Sequence, residues 1–432
     1  MYSLEMWGIK LGLENISDFC RHLGDPQSQF LSIHVAGTNG KGSTCAFLDA
    51  ILRAAGHRVG RYTSPHLRDF RERIQVGGRP IARDTVADFV GRHWSRIKQE
   101  RYTFFETTTA LAFDAFARAR VEIGVVEVGL GGRFDATNVI APQLSIITRI
   151  ARDHEQILGR TPERIAFEKA GIIKSGVPVL TGNLLPAADR VIRRVADQRG
   201  APLWSASEIL DSVDAAPFLP GPSERWPLPL PGEHQIANLA IALAALAILD
   251  SQGIRVGRSA NRRGIAGTIW PGRFQIVAGH PTVVYDAAHN PDGVGALANT
   301  WRTVFGRRRP VCVWTARLDK DYRAMAGVLS GFTSHWIGSP LPGGAGIGPQ
   351  EQKDAALDAG CDFTWAGSPR AALSIARRMA GPSGAVLVTG SHHLLGALMP
   401  QALLGQAGRT PPRAHVSRRD ILLAAAQRGV KF

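Results

Sequence analysis

Leu31-Ser32-Ile33-His34-Val35-Ala36-Gly37-Thr38-Asn39-Gly40-Lys41-Gly42-Ser43-Thr44 decides the fold. Leu31 to Ala36 reads as a strand, a glycine-rich turn follows, and a helical pattern runs from about Thr44 to Ala55. Glycines between a strand and a helix make a phosphate cradle. They let the backbone turn with its N–H groups facing inward, and the helix N-terminus adds a positive dipole end. Lys41 is placed to neutralise terminal phosphates, with Ser43 or Thr44 in reach of a magnesium ion. The spacing departs from G-x-x-x-x-G-K-[ST], because Gly42 separates the lysine from the hydroxyl.

Outward from that loop, short β-branched runs alternate with longer helical patterns, the mark of an α/β domain with a mainly parallel sheet. Val121 to Val128, Leu144 to Thr148 and Val177 to Leu180 read as further strands. The proline-rich stretch from Pro217 to Gly232 reads as a loop crossing, before an alanine-rich helix from His234 to Leu249. A second α/β set then begins. Thr282 to Tyr285, Val311 to Trp314 and Ala385 to Thr389 read as strands, with helices at Asp292 to Thr300 and from about Leu394 to Leu404. The boundary is expected near residue 280. This gives a P-loop domain over 1–280, a smaller domain over 281–404, and a basic tail over 405–432 with no assigned role. Ile421 to Gln427 reads as a helix within that tail.

Apolar residues at 44% and charged residues at 20% of 432 exclude a disordered chain or a fibre. Cys20, Cys45, Cys312 and Cys361 form no C-x-x-C pair, which argues against a disulfide framework or a cysteine-rich zinc site. No apolar run reaches the roughly 20 residues of a membrane span, and Met1 to Asp18 carries charges within its apolar stretches. A cytoplasmic protein with no membrane partner is expected. The formal charge is +15, carried mostly by scattered arginines. A nucleic-acid-binding protein that uses a P-loop for ATP would cluster basic residues with aromatics, and no such cluster is present. No nucleic-acid partner is expected, and a monomer is.

The loop spelling resembles the nucleotide loop of the ATP-dependent amide ligases, the family of the Mur ligases and the folylpolyglutamate/dihydrofolate synthases. The rest of the chain is similar to the folate branch. Gly8-Ile9-Lys10-Leu11-Gly12-Leu13-Glu14-Asn15 opens the resemblance, followed by Tyr62-Thr63-Ser64-Pro65-His66-Leu67 and Glu127-Val128-Gly129-Leu130-Gly131-Gly132-Arg133-Phe134-Asp135-Ala136-Thr137-Asn138. Asp153-His154, Glu168-Lys169-Ala170-Gly171-Ile172, His234-Gln235-Ile236-Ala237-Asn238, Pro271-Gly272-Arg273-Phe274 and Asp286-Ala287-Ala288-His289-Asn290-Pro291 continue it in order.

The resemblance implies a Mur-ligase-like central domain followed by a Rossmann-like α/β domain. It implies ATP-dependent addition of L-glutamate to dihydropteroate and to folates through an acyl phosphate, the alternative being folylpolyglutamate synthase activity only. Ser64, Glu127 and His154 are implied magnesium ligands, for two ions with phosphate and water completing the shells. Lys41, Lys169, His154 and Arg273 are implied catalytic residues. Asn238 is implied to face the adenine, Arg273 a phosphate and Asp286 the ribose, with His289 completing the ATP contacts. Ile9, Lys10, Leu11, Phe105, Glu106, Thr107, Thr108, Phe134, Asp135 and Ala136 are implied to hold the pterin-bearing substrate. Lys169 is implied to be carbamylated by carbon dioxide. An ammonium at ~4 Å from a divalent metal would cost on the order of 8 kcal/mol at an effective dielectric of about 20, whereas a carbamate would attract it.

Four spellings depart from the family pattern. Arg152 would place a cation beside the metal site, and Phe134 replaces a commoner leucine next to the pterin pocket. Trp314-Thr315-Ala316-Arg317-Leu318 and Ser391-His392-His393 are the other two.

Overall fold

The computed structural model describes residues 12–403 and 414–426. The first sheet has eight strands in the order β4-β3-β2-β5-β1-β6-β7-β8. These are β1 (Leu31–Ala36), β2 (Val59–Tyr62), β3 (Ile74–Val76), β4 (Arg79–Pro80), β5 (Ile123–Glu127), β6 (Leu144–Ile147), β7 (Val179–Thr181) and β8 (Leu203–Ser205). Pairing is parallel except where β3 and β4 add antiparallel to β2. β1 lies between β5 and β6, with Val35 opposite Glu127 on one side and Ile146 on the other. That register brings Ala36, Glu127 and Ile147 to one carboxyl edge, where ligands gather in open α/β sheets.

Both faces of the central strands are covered, so they read as apolar runs rather than alternating ones. The Lys41–Ala54 and Glu233–Ser251 helices pack on one face and Phe104–Arg118 on the other. Glu233–Ser251 is the one helix among the described residues long and apolar enough to cross a membrane, yet most of it is buried in this core. The four cysteines are buried and unbonded.

The second sheet runs β10-β11-β15-β12-β13-β14. β9 (Trp226–Leu228) lies outside it; its strands are β10 (Gln275–Val277), β11 (Thr282–Tyr285), β12 (Val311–Trp314), β13 (His335–Gly338), β14 (Asp362–Trp365) and β15 (Ala385–Thr389). β10 pairs antiparallel with β11, so the chain has changed sheets by Gln275, a few residues before the expected boundary. The helix expected to reach Leu404 ends at Leu398. Pro400 follows, and a residue before proline is pushed to extended backbone, as Met399 is.

The tail reading needs correction where the tail is described. Ala414–Val416, β16, pairs antiparallel with β9 inside the stretch expected to be a loop. The Arg418–Ala426 helix then packs on Glu233–Ser251. Val416, Ile421 and Ala425 join Trp226 in the first domain's core. The chain therefore leaves the first domain, builds the second and returns. Periodicity could not show this, because β9 and β16 are short and their partners are nearly 190 residues apart.

Candidate active site

The helix after β1 begins at Lys41, so the N–H groups of the P-loop itself form its open N-terminus. Gly37 and Gly40 have φ of 149° and 90°, and a Cβ on Gly40 would overlap the Asn238 amide. Lys41 Nζ donates to the Gly37 and Thr38 carbonyls at 3.0 and 3.1 Å. Thr38 is tied to the loop after β6 by a reciprocal pair with Ala151, and Thr148 Oγ1 donates to the Asn39 carbonyl.

Lys169 ends the Pro162–Ala170 helix but is only 4% exposed, and its Nζ donates to the Gly37 carbonyl at 2.9 Å. Burial, and then the Lys41 charge, lower its pKa to about 7.

Glu127 is buried at the end of β5, and its Oε2 accepts the Ser64 N–H at 3.1 Å. Burial raises its pKa, against the pull of Lys41, Arg273 and Arg61. A buried carboxylate beside a serine hydroxyl offers oxygen donors suited to magnesium. His154 is different. It has a left-handed backbone (φ 50°), and Lys320 Nζ, from the second domain, donates to its Nε2 at 3.0 Å. The same ammonium pairs with Asp153 at 2.5 Å. Burial lowers the His154 pKa, with Asp153 opposing and Lys320 assisting. Among the described residues no three His, Cys, Asp or Glu side chains group to hold a metal, so phosphate and water must supply most of any shell. Arg152 is exposed and lines neither cavity described below.

Asp286 accepts the Phe274 N–H and the Ala288 N–H, each at 2.8 Å, fastening the 272–275 crossing to the loop after β11. Arg273 is held at the side. Its guanidinium lies 5.6 Å from the Trp270 ring, whose centroid is also 5.1 Å from the Arg61 guanidinium. Burial lowers the Arg273 pKa, opposed by Asp286 and Glu127. His289 and His392 lie 4.9 Å apart, ring to ring, and burial lowers both pKa values, that of His289 to about 4.

The two domains are joined across the P-loop. Asn39 and Asn290 exchange amide hydrogen bonds, Asn39 also donates to Asp292, and Arg149 forms a forked pair with Asp292. No motif marks Arg149, Asp292 or Lys320, because each acts through a partner far along the chain, and Trp270 meets Arg61 from as far away.

Two cavities meet here. One, of about 240 Å³, is lined by Gly37 to Ser43, Asn238, Arg273, Asp286 and His289. The other, of about 460 Å³, is lined by Phe105, Glu106, Phe134, Asp135, Ala136, Ile157, Arg317, Lys320 and His393. Ser64, Gly129 to Gly131, His154, His289 and His392 line both. Three of the four departures from the family spelling, Phe134, Arg317 and Ser391-His392-His393, thus converge on the second cavity.

Not every expected substrate residue reaches it. Thr107 and Thr108 line neither cavity; both are fully buried, and Thr108 Oγ1 bonds back to the Phe104 carbonyl within its helix. Glu106 lines the cavity while its carboxylate accepts the Thr103 N–H as half of a capping box. Ile9, Lys10 and Leu11 lie outside the described residues.

Residues 35–246 match the Mur ligase middle domain, and residues 272–392 match the Mur ligase glutamate ligase domain. The Bacillus subtilis dihydrofolate synthase/folylpolyglutamate synthase is 40% identical over 337 residues, 74% of this chain and 78% of the relative. The Escherichia coli FolC, solved in complex with DHPP and ADP, superposes with a TM-score of 0.80 at 34% identity, covering 92% of this chain and 95% of that one. A bifunctional folylpolyglutamate synthase/dihydrofolate synthase solved with Mn, AMPPNP and L-glutamate gives 0.78 at 30% identity, covering 92% and 96%. Fold and site define an ATP-dependent ligase on the Mur ligase plan. Within that class, the chain belongs to the dihydrofolate synthase/folylpolyglutamate synthase family.

Proposed function

We propose that the protein adds L-glutamate to dihydropteroate, giving dihydrofolate, and to folates, giving polyglutamates. One observation carries this reading: the P-loop cavity and the larger, more apolar cavity share a wall at Ser64, His154 and His289. A γ-phosphate in the first would therefore meet the carboxylate of a flat heteroaromatic acceptor in the second. The relatives solved with ADP and DHPP, and with AMPPNP and L-glutamate, support the same ligands here.

The acceptor carboxylate attacks the γ-phosphorus, ADP leaves, and an acyl phosphate remains. The glutamate amino group, as free amine, then attacks the acyl carbon, and phosphate departs with the bonding pair. Lys41 and Arg273 neutralise charge on the transferring group, so that catalysis is mainly positioning and electrostatics. Ser64 and Glu127 fit a magnesium ion, which would add positive charge at the phosphates; His154 would offer its Nε2 to such a site once Lys320 moves off it. Neutral His154, at the junction of the cavities, can receive the amine's proton. Arg317 and Lys320 supply cations for the carboxylates of the incoming amino acid. Lys169, buried with a pKa near 7, is poised for carbamylation, because carbon dioxide reacts with the neutral amine. The protein acts as a cytoplasmic monomer.

The test is an assay with ATP, magnesium and glutamate, offering dihydropteroate or tetrahydrofolate. Turnover of both is expected; consumption of tetrahydrofolate alone would restrict the activity to folylpolyglutamate synthesis.

A further inference from the structure

The returning C-terminal segment, 414–426, lies outside both stretches that match Mur ligase domains. It nevertheless reaches the nucleotide cavity. Ala424, on the Arg418–Ala426 helix, lines it together with Asn183, which follows β7. Asn183 Nδ2 donates to the Ala424 carbonyl at 2.9 Å, fixing one against the other. Asn238 and Ile241, on Glu233–Ser251, and Ala296 and Leu297 of the second domain line the same cavity.

We propose that Ala424 and Asn183 are nucleobase-binding residues, so that the returning segment forms part of the wall of a slot for the adenine ring. The inference rests on the reading that ATP occupies this cavity with its phosphates at the P-loop. Three features support it. The P-loop fixes the phosphate end, and Asn238, whose Oδ1 abuts Gly40, begins the wall leading away from it. Ile241, Ala296, Leu297 and Ala424 contribute apolar lining to the cavity, which suits the faces of a planar ring. Asn183, which also lines the cavity, supplies a polar side chain beside Ala424. The segment is also built to stay in place, since Val416, Ile421 and Ala425 are core residues and β16 is paired to β9. A base bound here would depend in part on Ala424, which lies outside both stretches that match Mur ligase domains.

The experiment compares the full-length protein with Ala424→Leu, which narrows the slot, and Asn183→Ala, which releases the tie without adding bulk. Binding of ADP and of inorganic tripolyphosphate, which has no base, is measured by calorimetry, with thermal unfolding as a check on folding. ADP binding should weaken about tenfold in Ala424→Leu and several-fold in Asn183→Ala, while tripolyphosphate binding stays within about twofold. Equal weakening of both ligands, or no change in either at an unchanged unfolding midpoint, overturns the proposal. If Ala424→Leu fails to fold, Asn183→Ala alone decides. A wild-type protein that binds neither ligand refutes the nucleotide reading of the cavity itself, a result separate from the failure of the wall.

Discussion

Lys41 and Lys169 donate to the same oxygen, the Gly37 carbonyl, at 3.0 and 2.9 Å. Two ammonium groups on one carbonyl repel each other, and the more buried of the two loses its charge more readily. Burial first, and the Lys41 charge second, bring Lys169 down to about 7. The P-loop thus places an amine of lowered pKa next to Lys41, for which we propose phosphate neutralisation.

Lys169→Ala should therefore lose at least about 10²-fold in turnover while still binding ADP, because the loss is of charge organisation rather than of the cradle. Lys169→Arg should do no better, since it restores a cation and cannot be carbamylated. Near-normal turnover of the arginine variant would remove the carbamate from the mechanism.

Turnover should also depend on pH and on carbon dioxide together. Half of the Lys169 side chains are neutral near pH 7 and about a tenth at pH 6, so at fixed dissolved carbon dioxide the rate should fall as pH drops through that range. Stability moves in a different window. The unfolded lysine holds its proton up to its ordinary 10.5 and the folded one only to about 7, so between these values the unfolded state binds more protons and stability rises with pH. A rate that is flat from pH 6 to 8 and indifferent to added bicarbonate would contradict the prediction.

Arg149 and Asp292 join the domains beside the nucleotide loop, with side chains 30% and 17% exposed. Discounted for that exposure, the pair contributes about 1 kcal/mol to the closed arrangement. Arg149→Met should raise the KM for ATP about fivefold and enlarge the radius of gyration without ligand. Solution scattering checks the second effect, and ATP analogue plus folate should restore compaction. An unchanged radius would show that the other links suffice.

Trp270 has the Arg61 and Arg273 guanidinium groups 5.1 and 5.6 Å from its ring centroid and packs on Gly42. Its ring supports Arg273, which lines the nucleotide cavity while Trp270 does not. Trp270→Leu should lower kcat about tenfold with the KM for ATP little changed, whereas Trp270→Phe, which keeps a π face, should retain most of the rate. Equal kcat values for the two variants would show that the ring only fills space.

The strand–loop–helix at 31–54, the two α/β sets and the family are legible in the residues alone, because they follow from local periodicity and from motifs whose residues are neighbours in the chain. Leu31–Ala36, Thr282–Tyr285, Val311–Trp314 and Ala385–Thr389 have the bounds their apolar runs dictate. Tertiary structure alone decided which polar groups face a cavity. Thr107 and Thr108 belong to a helical pattern as compatible with a pocket as with a core, and packing turned them into the core. Lys169 reads as a surface cation at a helix end until β1 carries Gly37 beneath it. The tail reads as a basic extension until β16 finds β9 and Ala424 meets Asn183. In each case the deciding partner lies far along the chain, and neither period nor motif carries the register that brings it near.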